Sequence, residues 1–154
     1  MAKRKVNTQP FWRLVFLIYI GALVWLLFCR KQGWKDGLTY AEMLRQNMIL
    51  KPFYTIDNYI NVLLHYPDSP YYQQCLIELF GNLLMFIPAG WLLPKIFKPM
   101  RKFSVFFLSC LFSILFIETF QLLTLLGYFD IDDVILNMAG VLIGFIGYIC
   151  FRKK

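Results

Sequence analysis

Asp130-Ile131-Asp132-Asp133-Val134-Ile135-Leu136-Asn137-Met138-Ala139-Gly140 opens the segment whose reading decides the fold. From Val134 the chain stays apolar through Phe151, and Asn137, Gly140, Gly144 and Gly147 recur along it at spacings of three, four and three. A run of that length suits a bilayer span. Carboxylates beside such a run are costly, so they mark its end and a functional surface. The small residues fall on one side of a helix and let a neighbouring backbone approach, with Gly140 and Gly144 as a GxxxG pair. Tight packing inside one bundle is expected from this stripe ahead of dimerisation, leaving Asn137 against an adjacent helix.

Working outward, three more runs approach or exceed the ~18 residues of a span, so the predicted transmembrane segments are 11–28, 76–93, 103–126 and 134–151. The chain is 59% hydrophobic, against roughly 45 to 50% for a soluble domain, and its mean hydropathy is +0.57. Lys3, Arg4 and Lys5 precede the first run, but no small-residue cleavage site follows it, so an uncleaved first helix is expected rather than a signal peptide.

The net charge of +7 does not indicate nucleic acid, because the charges sort by membrane side. Lys3, Arg4, Lys5 and Arg13 flank the first run, Lys95, Lys98, Arg101 and Lys102 fill the second link, and Arg152, Lys153 and Lys154 end the chain. The third link carries Asp130, Asp132 and Asp133 and no base. The positive-inside rule then gives an all-α membrane protein, a four-transmembrane-helix bundle with both termini cytoplasmic and an outer loop over residues 29–75. The whole chain, 1–154, reads as one domain.

An outer loop of this length should hold structure of its own. Thr55 is placed to cap a helix whose Ile56, Tyr59, Ile60, Leu63 and Leu64 share a face, with Asp57 in its first turn and Pro67 beyond its end. That face lies on the outer leaflet or packs on the bundle. Residues 38–50 form a second, less periodic candidate. Pro88 in the second span should bend or break it, and with Ala89, Gly90 and Pro94 it points that stretch toward the bundle interior. Cys29 and Cys75 fall near the outer face, where a bridge is conceivable but spacing cannot establish it; Cys110 and Cys150 read as packing residues.

Glu118 and Gln121 share a face of the third span. Counting back from Leu126 at ~1.5 Å per residue sets Glu118 about 12 Å below the outer end. A carboxylate at that depth is either protonated or paired with donors such as Gln121, Asn82 or Asn137. Two readings stand: a structural hydrogen-bond network, or an outward pocket lined by Glu78, Asn82, Glu118, Gln121, Asp133 and Asn137 that holds the head of an amphiphile. Asp132 or Asp133 is placed to cap the fourth helix. The remaining carboxylates, Asp130 among them, suit a hard cation, yet no spacing matches a metal loop, so no metal and no cofactor is assigned. His65 reads as interfacial, and no nucleophile with a base, phosphate loop or HExxH is present.

Several of these residues resemble the VanZ-like family of small multi-pass membrane proteins, named for a teicoplanin-resistance protein. The resemblance rests on Gly81-Asn82-Leu83-Leu84-Met85-Phe86-Ile87-Pro88-Ala89-Gly90 through Pro94, on Glu118 with Gln121, and on Phe129 to Asn137 through Gly140 and Gly144. Asn47 to Ile56 is similar to the family's NLIPF-type segment, with an interruption before Pro52. Where members often carry a base, just before the Gly preceding the Asp motif, this chain has Leu126. The resemblance implies a bacterial cytoplasmic-membrane protein, linked in some members to reduced susceptibility to lipid-bearing glycopeptides. The leading expectation is therefore a non-enzymatic binder of membrane lipids, a lipoglycopeptide or a lipid-linked precursor. The alternative is an intramembrane, carboxylate-dependent enzyme acting on a lipid-linked envelope substrate.

Overall fold

The computed structural model describes residues 9–28 and 36–152. Four of its helices are long and apolar enough to cross a membrane: α1 (Gln9–Phe28), α4 (Tyr72–Ile96), α5 (Phe103–Leu123) and α6 (Ile131–Phe151). Between α1 and α4 lie two shorter helices, α2 (Tyr40–Gln46) and α3 (Tyr54–His65). Leu17, Phe112 and Phe116 are each at least 66% exposed, as apolar side chains on helices of membrane length are where they face lipid or another protein. The architecture is an all-α membrane bundle. The proposed Cys29 to Cys75 bridge involves a residue outside the described ones; Cys75 itself is a buried thiol.

The bundle is built on α4 and α6. A Cβ at Gly140 would stand 2.1 Å from the Leu83 carbonyl oxygen, one at Gly144 2.1 Å from that of Ile87, and one at Gly90 2.0 Å from that of Val141. The pairs advance together along both chains, so the two helices run parallel with their backbones in contact. Only residues without side chains permit this approach. Gly147 faces the Trp91 ring instead. On the far side of α6, Phe106 of α5 stacks on Phe145 with ring centroids 4.3 Å apart.

Pro88 does not break α4, which is continuous from Tyr72 to Ile96. Proline removes one backbone donor and crowds the preceding turn. One of the carbonyls in that turn, Met85 O, accepts a hydrogen bond from the Tyr19 hydroxyl of α1 at 3.0 Å. Tyr19 thus ties α1 to α4 within the turn that precedes the proline.

Helix α5 ends at Leu123, earlier than its hydropathy predicts. Leu125 turns to φ 54°, and the N–H groups of Leu125 and Leu126 return to the carbonyls of Leu122 and Gln121 at 3.1 and 3.0 Å. This is a Schellman closure with leucine where glycine is usual. The absence of glycine at that position is why the sequence reads as continuing helix. Helix α6 begins earlier than predicted, at Ile131, because its N-cap is Asp130, whose carboxylate accepts from the Asp132 N–H at 2.9 Å.

Helix α2 is opened by a capping box between Thr39 and Glu42. The stretch predicted as a second surface helix then leaves helical geometry at Asn47 and forms β1 (Met48–Ile49), which pairs in parallel with β2 (Phe129–Asp130). This two-residue ladder ties the loop to the Asp motif. Helix α3 packs on α4 with Thr55, Ile56, Tyr59 and Leu63 turned inward, while Ile60 and Leu64 remain exposed. Of the two expectations for its apolar stripe, packing on the bundle is the one observed.

Candidate functional site

The three aspartates do separate work, and two of them bind the loop. Asp132 is fully buried and accepts the N–H groups of Phe53 (2.6 Å), Thr55 (2.8 Å) and Ile56 (3.0 Å). A carboxylate from α6 thus caps α3, satisfying donors at a helix N-terminus where negative charge is favoured. Phe53 takes the left-handed conformation there, at φ 62°. Thr55 is not the N-cap that its position suggests; its hydroxyl donates to Asp130 at 2.6 Å. Asp133 turns the other way and accepts from the Asn82 amide of α4.

Behind this clip lies a cavity of about 280 Å³. Of the sequence-derived candidates, Glu78, Asn82, Glu118, Gln121, Asp130 and Asp133 line it, whereas Asp132 and Asn137 do not. Asp132 is committed to α3, and Asn137 sits behind Glu118, donating to Glu118 Oε1 at 3.3 Å. Thr55, Tyr59, Gln74 and Tyr128 complete the polar wall, and no local sequence signal marks α3 as part of it. Leu126 also belongs to the wall.

Glu118 is only 2% exposed, and its Oε2 has no hydrogen-bond partner; the same holds for Asn137 Oδ1, in a residue 1% exposed. Its distance from the end of α5 is about 7 Å rather than the predicted 12 Å, because α5 stops at Leu123. Gln121 does not pair with Glu118. It donates instead to the Leu27 carbonyl at 3.0 Å, fastening the last turn of α1. Among the described residues no group of three His, Cys, Asp or Glu side chains is placed to hold a metal.

A family model described as VanZ/LLP1 matches residues 16–152. The chain belongs to the VanZ/LLP1 family. No curated protein and no solved structure matches it. In this VanZ/LLP1 protein the resembling segments converge: the Asn47 to Ile56 stretch, the Asn82 turn of α4, Glu118 and the Asp motif all meet around the cavity or its clip. Leu126, just before Gly127, places a neutral side chain on the wall.

Burial pushes the Tyr59 phenol above its ordinary range, and the nearby Glu78, Asp133 and Asp130 carboxylates push further, so it stays a neutral donor. Burial likewise pushes the Asp130 carboxyl up, against the lowering effect of the Thr55 hydroxyl and the Asp132 N–H. An acid whose folded pKa exceeds its unfolded one supports the fold fully below about pH 4, and that support is lost as pH rises through the folded pKa. Asp130→Asn retains a polar side chain at the clip without the ionisation. Its thermal midpoint should therefore fall less than that of the parent between pH 4 and pH 7; equal falls would show that Asp130 titrates as in the unfolded chain.

Proposed function

We propose that this VanZ/LLP1 protein binds the polar head of an amphiphile at the outer leaflet of a bacterial cytoplasmic membrane, without catalysing a reaction. In doing so it contributes to reduced susceptibility to lipoglycopeptides of the teicoplanin type. The observation that carries this reading is the cavity itself: polar, near the helix ends, and lined by buried Glu118, one of whose oxygens has no hydrogen-bond partner. Buried acceptors are nearly always satisfied, so the Glu118 carboxyl has capacity for a further donor. The basic residues Arg13, Lys95, Lys98, Arg101 and Arg152 lie at the opposite helix ends, which by the positive-inside rule supports an outward cavity.

The test is growth of a susceptible Gram-positive host under teicoplanin, with vancomycin as the non-acylated comparison. Expression of the protein should protect against teicoplanin alone, and Glu118→Gln at matched level should lose that protection. Protection by both forms would remove the cavity from the explanation, and protection by neither would end the resistance reading. The enzymatic alternative draws on Glu118 and Asp133 lining one cavity. It requires turnover of a lipid-linked substrate that either Glu118→Gln or Asp133→Asn abolishes.

A further inference from the structure

A second cavity of about 200 Å³ follows the first along the bundle. Its wall is formed by Tyr19, Leu23, Phe86, Cys110, Ser113 and Ile117 among others, and is almost wholly apolar. Helix α1 packs on α4 and α5 packs on α6, which leaves this crevice between α1 and α5. From Phe16 to Leu23 it extends about 10 Å along α1.

The two cavities succeed one another on three helices at once. Leu23 of the crevice is followed by Leu26 and Leu27 of the polar cavity, Phe86 is preceded by Met85 and Asn82, and Ile117 is followed by Glu118. A polar chamber thus stands directly above an apolar slot bordered by lipid-facing helices. The chamber is also one-sided chemically. Glu78, Glu118, Asp130 and Asp133 line it, and among the described residues in its wall there is no Lys, Arg or His. The buried atoms lacking partners beside it, Glu118 Oε2 and Asn137 Oδ1, are both acceptors. A ligand matched to four acidic side chains is a cationic hydrogen-bond donor, and a primary ammonium offers three N–H groups and no acceptor.

We propose that the two cavities hold one molecule, an amine-bearing membrane lipid, with its ammonium group beside Glu118 and one hydrocarbon chain in the crevice between α1 and α5. This rests on the amphiphile reading above and specifies both head and tail. A chain reaching the crevice arrives from the bilayer, which assigns the occupant to the membrane rather than to the aqueous phase.

The experiment is calorimetric titration of the purified full chain in phosphatidylcholine nanodiscs with dodecylamine, dodecanol, dodecanoate and butylamine. Dodecylamine should bind saturably, about tenfold or more tighter than dodecanol, as expected for hydrogen bonds to a charged group. Dodecanoate should be the weakest long-chain probe, and butylamine should lose about tenfold for want of a tail. Glu118→Gln and Leu126→Arg should each weaken dodecylamine binding by about tenfold and leave dodecanol unaffected. Ser113→Phe, at an exposed position on the crevice wall, should weaken dodecylamine but not butylamine. Replacing part of the phosphatidylcholine with phosphatidylethanolamine should lower the apparent affinity for dodecylamine by competition.

Equal binding of amine and alcohol would overturn the ammonium assignment while the amphiphile site stands. Insensitivity to Ser113→Phe would overturn the crevice, and indifference to phosphatidylethanolamine would overturn the lipid as occupant. No saturable binding of any probe would overturn both this proposal and the amphiphile reading.

Discussion

Gly144→Leu is expected to prevent assembly of the bundle, and Gly144→Ala to lower its stability by about 1–3 kcal/mol. A Cβ at this position meets the Ile87 carbonyl oxygen at 2.1 Å, the Gly90 Cα at 2.9 Å and the Trp91 nitrogen at 2.9 Å, all of them backbone atoms. No side chain can rotate away to make room. Relief comes only by separating α4 from α6, which also pulls Asn82 from Asp133 and loosens the cavity wall. Thermal unfolding of purified variants in detergent measures the effect. Gly81→Ala is the matched control, because nothing lies within 4 Å of its new Cβ and alanine is the better helix former by roughly 0.5–1 kcal/mol. Equal melting of Gly144→Ala and Gly81→Ala would mean that the close approach does not hold the bundle.

Asp132→Ala is expected to release α3 from the acidic end of α6, at a cost of about 3–5 kcal/mol, since each buried N–H left without an acceptor costs ~1–3 kcal/mol. Three buried N–H groups lose a carboxylate at once, and hydrogen bonds to charged groups contribute roughly 1.5–3 kcal/mol each, though not additively. The left-handed Phe53 loses its anchor too; that conformation costs about 1–2 kcal/mol in a non-glycine residue. Asp132→Asn should be milder, since one remaining carbonyl oxygen still reaches Thr55 and Ile56. Hydrogen exchange of the Thr55, Ile56 and Asp57 amides reads the outcome directly. Exchange unchanged in Asp132→Ala would show that α3 is held by its apolar face alone. The same variant should also open the cavity, because Thr55 and Tyr59 reach its wall only while α3 is docked.

The wall of this cavity is completed by a loop that the aspartates close, and that division of labour could not be seen in one dimension. Asp130, Asp132 and Asp133 are adjacent in sequence and look like a single acidic cluster suited to a cation. In space one caps its own helix, one caps α3 and one meets Asn82, since successive positions at a helix start point in different directions. Thr55 misled for a related reason. A threonine before an apolar stripe is a good cap by local rules, but the carboxylate of Asp132 arrived from 77 positions away and took the donors.

Sequence alone determined the four membrane-length helices, because hydropathy over such a run reflects the solvent around it and needs no knowledge of neighbours. It also determined the family pattern and the small-residue stripe, both of which are written in local spacing. Tertiary structure decided which helix the stripe receives, what caps α3, and which carboxylates face the cavity. Each of those outcomes is a competition for a limited partner: the Gly90 gap for α6, the α3 donors for Asp132, and the Asn82 amide for Asp133. Such competitions are settled by distances between residues far apart in the chain, and only the folded arrangement supplies those distances.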